Sequence, residues 1–151
     1  MELTTGTLSR ADYLRAVERV VELLRSAGVA EVLVAYGFGC DCPDEQLYQD
    51  VPMPLDRLLP FMAEGERLDY YRIGKDNLHV KDGTGRIEFL LCHESDIHFI
   101  SEEAELVERV KGLWLAAGFT GMYLKRAAEW EPVAAEPKPA EPSAAADPGR
   151  M

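Results

Sequence analysis

Residues 77–100 read NLHVKDGTGRIEFLLCHESDIHFI, and the way this stretch folds back on itself decides the architecture. Three runs of alternating polarity, NLHV, RIEFLLC and IHFI, are separated by DGTG and ESD, both rich in residues that bend a chain. Alternation interrupted by turn residues is the pattern of an antiparallel meander. Through the DGTG turn, setting Lys81 opposite Arg86 brings Val80 to Ile87, His79 to Glu88 and Leu78 to Phe89. Side chains alternate with period two, so Leu78, Val80, Ile87, Phe89 and Leu91 share one face, the core face. His79 and Glu88 point the other way as a solvated pair.

The second turn is decided by its length. A loop of two or four residues sets His93 opposite His98, with Cβ atoms ~5 Å apart. It also gathers Leu90, Cys92, Ile97 and Phe99 on the non-core face, flanked by Glu88 and Glu94. A loop of three reverses the answer and brings Cys92 to His98. Ser95–Asp96 is not the Asn-Gly or Asp-Gly pair that specifies a tight primed turn, so both registers stand at this point. A Ser95–His–Asp96 triad is disfavoured, because neighbours in one tight turn do not easily present nucleophile, base and orienter in sequence.

Outward from the meander, RLDYYRI at 67–73 reads as a further strand and EVLVAYGF at 31–38 as a nearly continuous apolar, interior strand. Pro52, Pro54 and Pro60 punctuate the segment between them, where residues 55–59 form a short helix that Pro60 interrupts or restarts. A long helix over residues 10–27 is signalled by Ser9 as cap, Asp12 three residues on, and Leu8 with Tyr13 as a hydrophobic staple. Tyr13, Leu14, Val17, Val20, Val21 and Leu24 give it one apolar stripe, and Gly28 ends it. Ser101 is expected to cap a second helix that carries Leu106, Val107, Val110, Leu113 and Trp114 and ends at Gly118. Residues 119–124 add a short last strand. The fold class is therefore α+β: an antiparallel sheet of four to six strands packed by two amphipathic helices. Residues 1–126 form one domain. From 127 to 151 alanine, proline and glutamate dominate, which predicts a disordered tail.

The chain has 151 residues and a formal net charge of −11. That charge argues against nucleic acid and anionic membranes, which need a positive footprint, and favours steered encounter with a basic protein. No cationic start leads into an apolar run, and no apolar stretch approaches the roughly 18 residues of a membrane span. Three cysteines without a leader point to a reducing, cytoplasmic setting.

Two functional readings result. In the first, the chain is a small acidic protein-binding module, of the inhibitor or immunity type, rather than an enzyme. Asp41, Asp44, Glu45 and Asp50 supply the charge, Tyr48, Tyr70 and Tyr71 the anchors, and Leu90 with Phe99 an apolar face. In the second, it is a zinc-binding protein or a metal-dependent hydrolase. Cys40 and Cys42 project from one side of an extended segment and meet Cys92 or His98, or else His93 and His98 hold the metal with a carboxylate. The carboxylates around Cys40 and Cys42 raise their thiol pKa values and so disfavour a catalytic cysteine.

Overall fold

Ser9 caps the first helix as its sequence predicts: its hydroxyl accepts the Asp12 N–H, and α1 runs over Arg10–Ser26. Tyr13, Val17, Val20, Val21 and Leu24 are buried along one side. The computed structural model describes residues 1–126 and 129–134. Around α1 stand β1 (Glu2–Thr4), β2 (Glu31–Tyr36), β3 (Val51–Pro54), α2 (Leu58–Arg67), β4 (Leu78–Asp82), β5 (Ile87–Leu91), β6 (Ile97–Ser101), α3 (Ala104–Ala116), β7 (Tyr123–Arg126) and β8 (Glu129–Pro132). The strands form one eight-stranded sheet, ordered β3-β2-β4-β5-β6-β1-β7-β8, in which every neighbouring pair is antiparallel.

The α+β class and the antiparallel meander hold, but the sheet has more strands than the four to six expected. β1 is short and enters the sheet far from its sequence neighbours, between β6 and β7. β3 carries Pro52 and Pro54 and survives because it is an edge strand, where a missing N–H costs little. β8 pairs with β7 and carries the ordered body past residue 126, the boundary expected from composition. The remainder of the expected tail, 135–151, lies outside the described residues.

RLDYYRI is not a strand. It holds the end of α2 and a turn in which Asp69 adopts φ 58° and Tyr70 N–H donates to the Gly65 carbonyl. Pro60 does not break α2, because in the first turn its missing N–H has no partner to lose. Ser101 ends β6 instead of capping α3, although its hydroxyl still accepts the Glu103 N–H at 3.0 Å.

The first hairpin differs in register from the expected one, and the second takes the three-residue loop, the odd one of the two registers left open. In β4–β5 Val80 pairs with Phe89 and Lys81 with Glu88, a shift of two residues. Asp82 causes it. Its buried carboxylate accepts the Ile87 N–H at 3.1 Å and the Thr84 hydroxyl at 2.6 Å, which draws Asp82 into the strand and moves the turn from the expected residues 82–85 to residues 83–86. A shift of two preserves side-chain parity, so the expected core face of β4 and β5 is the observed one. In β5–β6, Leu90 pairs with His98 and Phe89 with Phe99, and the turn between Cys92 and Asp96 has three residues. Ser95, its last, has φ 61°, the left-handed position that ends such loops. The odd loop moves Ile97 and Phe99 to the core face, where they are fully buried. It leaves Leu90, Cys92 and His98 on the other side, away from Phe99.

All three helices contribute to one core cluster with the alternate strand residues Val34, Val80, Phe89, Leu91, Ile97 and Phe99. The opposite face carries Leu33, His79, Lys81, Glu88, Leu90, His98 and Ile100, all partly buried. No helix among the described residues is long and apolar enough to cross a membrane.

Candidate functional site

At the end of β2 the chain leaves the sheet at Gly37 and returns beside its own departure point. Tyr48 N–H donates to the Tyr36 carbonyl at 2.7 Å, and Leu47 forms an isolated bridge with Tyr36. The intervening residues make a closed surface loop of the kind whose ends meet and whose own side chains fill it. Cys40 and Cys42 supply part of that filling, partly buried against the core. The Cys40 thiol donates to the Asn77 carbonyl at 3.3 Å.

Two glycines allow the loop to lie so close. A Cβ on Gly37 would stand 2.8 Å from His79 Nε2. Gly39 has φ 89°, and a Cβ there would stand 2.6 Å from Asp76 Oδ1. Asp76 cannot give way, for it is buried and its carboxylate accepts the backbone N–H, Nε and Nη2 of Arg72 at 2.8, 3.1 and 3.0 Å. Behind the loop, Gly37 N–H donates to the Asn77 carbonyl and Asn77 N–H to the Phe38 carbonyl, extending the β2–β4 ladder.

This backbone thrusts Phe38 outward, 61% exposed, with its ring edge-on to His93 at 5.2 Å. Tyr48, 59% exposed, tilts over His79 at 6.4 Å and holds φ 58°, an unusual conformation for a bulky residue. Val51 is exposed beside them in sequence. Between residues 37 and 50 there are four carboxylates, Asp41, Asp44, Glu45 and Asp50, and no lysine or arginine. Of the four, Asp50 meets a cation, Lys81 Nζ at 3.8 Å.

The other expected anchors lie elsewhere. Tyr71 is fully buried in the core. Tyr70 is partly buried, edge-on to Tyr36, and its carbonyl accepts the Asp41 N–H, so it braces the loop from behind. Leu90 lies mid-sheet between His79 and His98, and Phe99 is in the core on the reverse side. Phe38 was missed in the sequence because EVLVAYGF at 31–38 reads as one interior strand, whereas β2 ends at Tyr36 and leaves Phe38 in the loop beyond it. Its signal was an aromatic residue bracketed by two glycines just past a strand.

The five expected metal ligands do not converge. Among the described residues the one group of three or more whose ligand atoms lie within 4.8 Å of one another is Cys92, Asp96 and His98. Cys40 and Cys42 are not in it. His93 turns to Asn77, whose Oδ1 accepts its backbone N–H at 2.7 Å and lies 2.9 Å from Nδ1. His98 is held on both sides, Nε2 3.1 Å from Asp96 Oδ2 and Nδ1 2.6 Å from Glu2 Oε1. The hydrogen bond with Asp96 raises the His98 pKa above its ordinary value against the opposing effect of burial, and Glu2 adds to the rise. Burial would raise the Asp96 carboxyl, but His98, the Cys92 thiol and Thr4 together outweigh it and hold it below the usual range. Burial pushes the Cys92 thiol up to about 11, as it does that of Cys40.

No protein-family model, curated protein or solved structure matches the chain.

Proposed function

We propose that the chain is a protein-binding module that docks a basic protein on the Phe38–Tyr48 corner, in the manner of an inhibitor or immunity protein. The observation that carries this reading is the pair of exposed aromatic rings on a closed loop that also carries Asp41, Asp44 and Glu45 and has no lysine or arginine of its own. Aromatic side chains at the centre of an interface carry most of its energy when water is excluded around them. A rigid loop lowers the ordering cost of burying them. The carboxylates act at longer range, speeding encounter with a positive surface and rejecting negative ones. The strain in Tyr48 fits a residue kept for what it contacts and not for what it contributes to the fold. The thiols of this loop are poor nucleophiles, since burial and the neighbouring carboxylates raise both Cys40 and Cys42. That disfavours catalysis at the corner.

The test begins with capture of a stoichiometric partner from the source cells at low salt, then measures affinity with both proteins purified. Phe38→Ala and Tyr48→Ala should each weaken binding by roughly 30-fold or more, the equivalent of a hot-spot loss of about 2 kcal/mol. Both residues are exposed, so the variants should unfold at the parental temperature. Asp41→Asn with Asp44→Asn and Glu45→Gln should slow association and flatten its salt dependence while leaving dissociation nearly unchanged. A captured partner that is acidic, or one that binds both alanine variants as tightly as the parent, overturns the proposal.

A further inference from the structure

We propose that Cys92, Asp96 and His98 form a binding site for a divalent transition-metal ion of the zinc class, with Glu2 as the group that orients the histidine. This site is separate from the Phe38–Tyr48 corner and does not depend on how that corner works.

The three-residue turn builds it. Cys92 and Asp96 flank the turn, with Cys92 N–H donating to the Asp96 carbonyl at 2.9 Å, and His98 follows Asp96 on the same face of β6. Sulfur, oxygen and nitrogen therefore converge, all three within 4.8 Å of one another. Around a tetrahedral zinc ion, with bonds of about 2.0 to 2.3 Å, neighbouring donor atoms stand roughly 3.3–3.8 Å apart. The 3.1 Å between His98 Nε2 and Asp96 Oδ2 is already close to that, and the Cys92 sulfur stands within 4.8 Å of the other two donors.

Two further observations separate a metal site from a plain ion pair. An ion pair accounts for His98 and for Asp96 Oδ2, which is also 3.3 Å from the Thr4 hydroxyl. It leaves Asp96 Oδ1 buried with no hydrogen-bond partner, beside a buried thiol that stands within 4.8 Å of the ligand atoms of Asp96 and His98 and 3.7 Å from His93 Nδ1. A buried unpaired carboxylate oxygen is costly, and coordination satisfies it. Glu2 Oε1, at 2.6 Å from His98 Nδ1, completes the carboxylate–histidine arrangement that fixes the ring of a metal ligand with its other nitrogen free.

The donor set chooses the metal. A thiolate, an imidazole and a carboxylate suit zinc or another borderline ion, whereas calcium and magnesium need oxygen alone. Binding releases two protons to solvent, one from the Cys92 thiol and one from His98 Nε2, in exchange for one dication. The net charge of the buried group is unchanged, so filling the site adds no uncompensated charge to the sheet. Three protein ligands leave the fourth tetrahedral position for water or a small ligand.

The experiment uses the full chain, purified without a histidine tag and stripped of metal. Zinc is titrated against a chromophoric chelator, and cobalt(II) is added separately as a spectroscopic probe. One zinc per chain is expected, and the cobalt form should show tetrahedral d–d bands with a thiolate-to-metal charge-transfer band. Cys92→Ser should abolish the charge-transfer band, Glu2→Gln should weaken zinc about 10–100-fold, and Cys40→Ser with Cys42→Ser should change neither. Trp130, edge-on to His98 at 6.3 Å, gives an independent fluorescence readout, and far-UV circular dichroism reports whether each variant is folded. No stoichiometric zinc in the folded parent, or a site kept by Cys92→Ser and lost with Cys40 and Cys42, overturns the proposal.

Discussion

Replacing Gly39 by alanine tests whether the loop that presents Phe38 is held as the structure implies. Two costs add. At φ 89° an L-residue is strained by about 1–2 kcal/mol. The new Cβ would then stand 2.6 Å from Asp76 Oδ1, and this carboxylate is 2% exposed and fixed by the Arg72 backbone N–H at 2.8 Å. The Arg72 guanidinium is 70% exposed, so its share of the clamp is discounted for solvent screening. Weakening the buried backbone bond to a charged acceptor costs about 1.5–3 kcal/mol, so the total is roughly 3–4 kcal/mol. Gly28→Ala is the control: its φ is 83°, but nothing lies within 4 Å of the added Cβ, leaving strain alone at about 1–2 kcal/mol. Urea unfolding should show the Gly39 variant losing about twice as much as the Gly28 variant, and melting should fall by roughly 10 °C against 5 °C. In an Asp76→Ala background the cost of Gly39→Ala should drop to that of the control, a coupling of about 1.5–2 kcal/mol. Equal losses at the two glycines would falsify the claim that the loop is packed against Asp76.

Tyr48→Asn should raise stability by up to ~1 kcal/mol in thermal unfolding, because asparagine tolerates the left-handed backbone, while weakening partner binding as severely as Tyr48→Ala. Asp82→Ala should cost about 2–3 kcal/mol in urea unfolding by orphaning the Ile87 N–H, and Asp82→Asn, which keeps the acceptor, clearly less. Equal losses would show that the β4–β5 turn does not depend on this bond. Cys40, with its thiol raised to about 11 by burial, should be alkylated slowly at neutral pH, its rate climbing about tenfold per pH unit from 7 to 10. Peptide-resolved mass spectrometry checks this, and a rate that levels off near pH 8 contradicts the buried placement.

Much of the fold was legible because local and long-range signals agreed. The cap and stripe of α1 depend only on residues a few positions apart, and the core face of β4 and β5 survived a wrong register because the shift was even. The errors came where one unreadable quantity governed many positions. One extra residue in the 93–95 turn moved Phe99 into the core and brought Cys92 to the side of His98. Asp96 looked like an ordinary turn residue, since nothing local shows that its carboxylate is partly buried beside His98 and Thr4. The aromatic alternation of RLDYYRI imitated a strand, and only the Gly65 carbonyl, accepting the N–H of Tyr70 at 2.9 Å, shows how the chain turns off α2. Short β1 and proline-bearing β3 became strands through partners that no local pattern names.

The Phe38–Tyr48 corner is the proposed docking surface, and the most direct measurement is where a bound partner touches the chain. A photo-reactive amino acid is placed singly at Phe38, Tyr48, Leu90, Arg109 and Trp130, and cross-linking to the purified partner is quantified by mass spectrometry. The account predicts that adducts concentrate at Phe38 and Tyr48 and fade as salt is raised. Adducts concentrated at Leu90, Arg109 or Trp130, with little at the two aromatic positions, would contradict it.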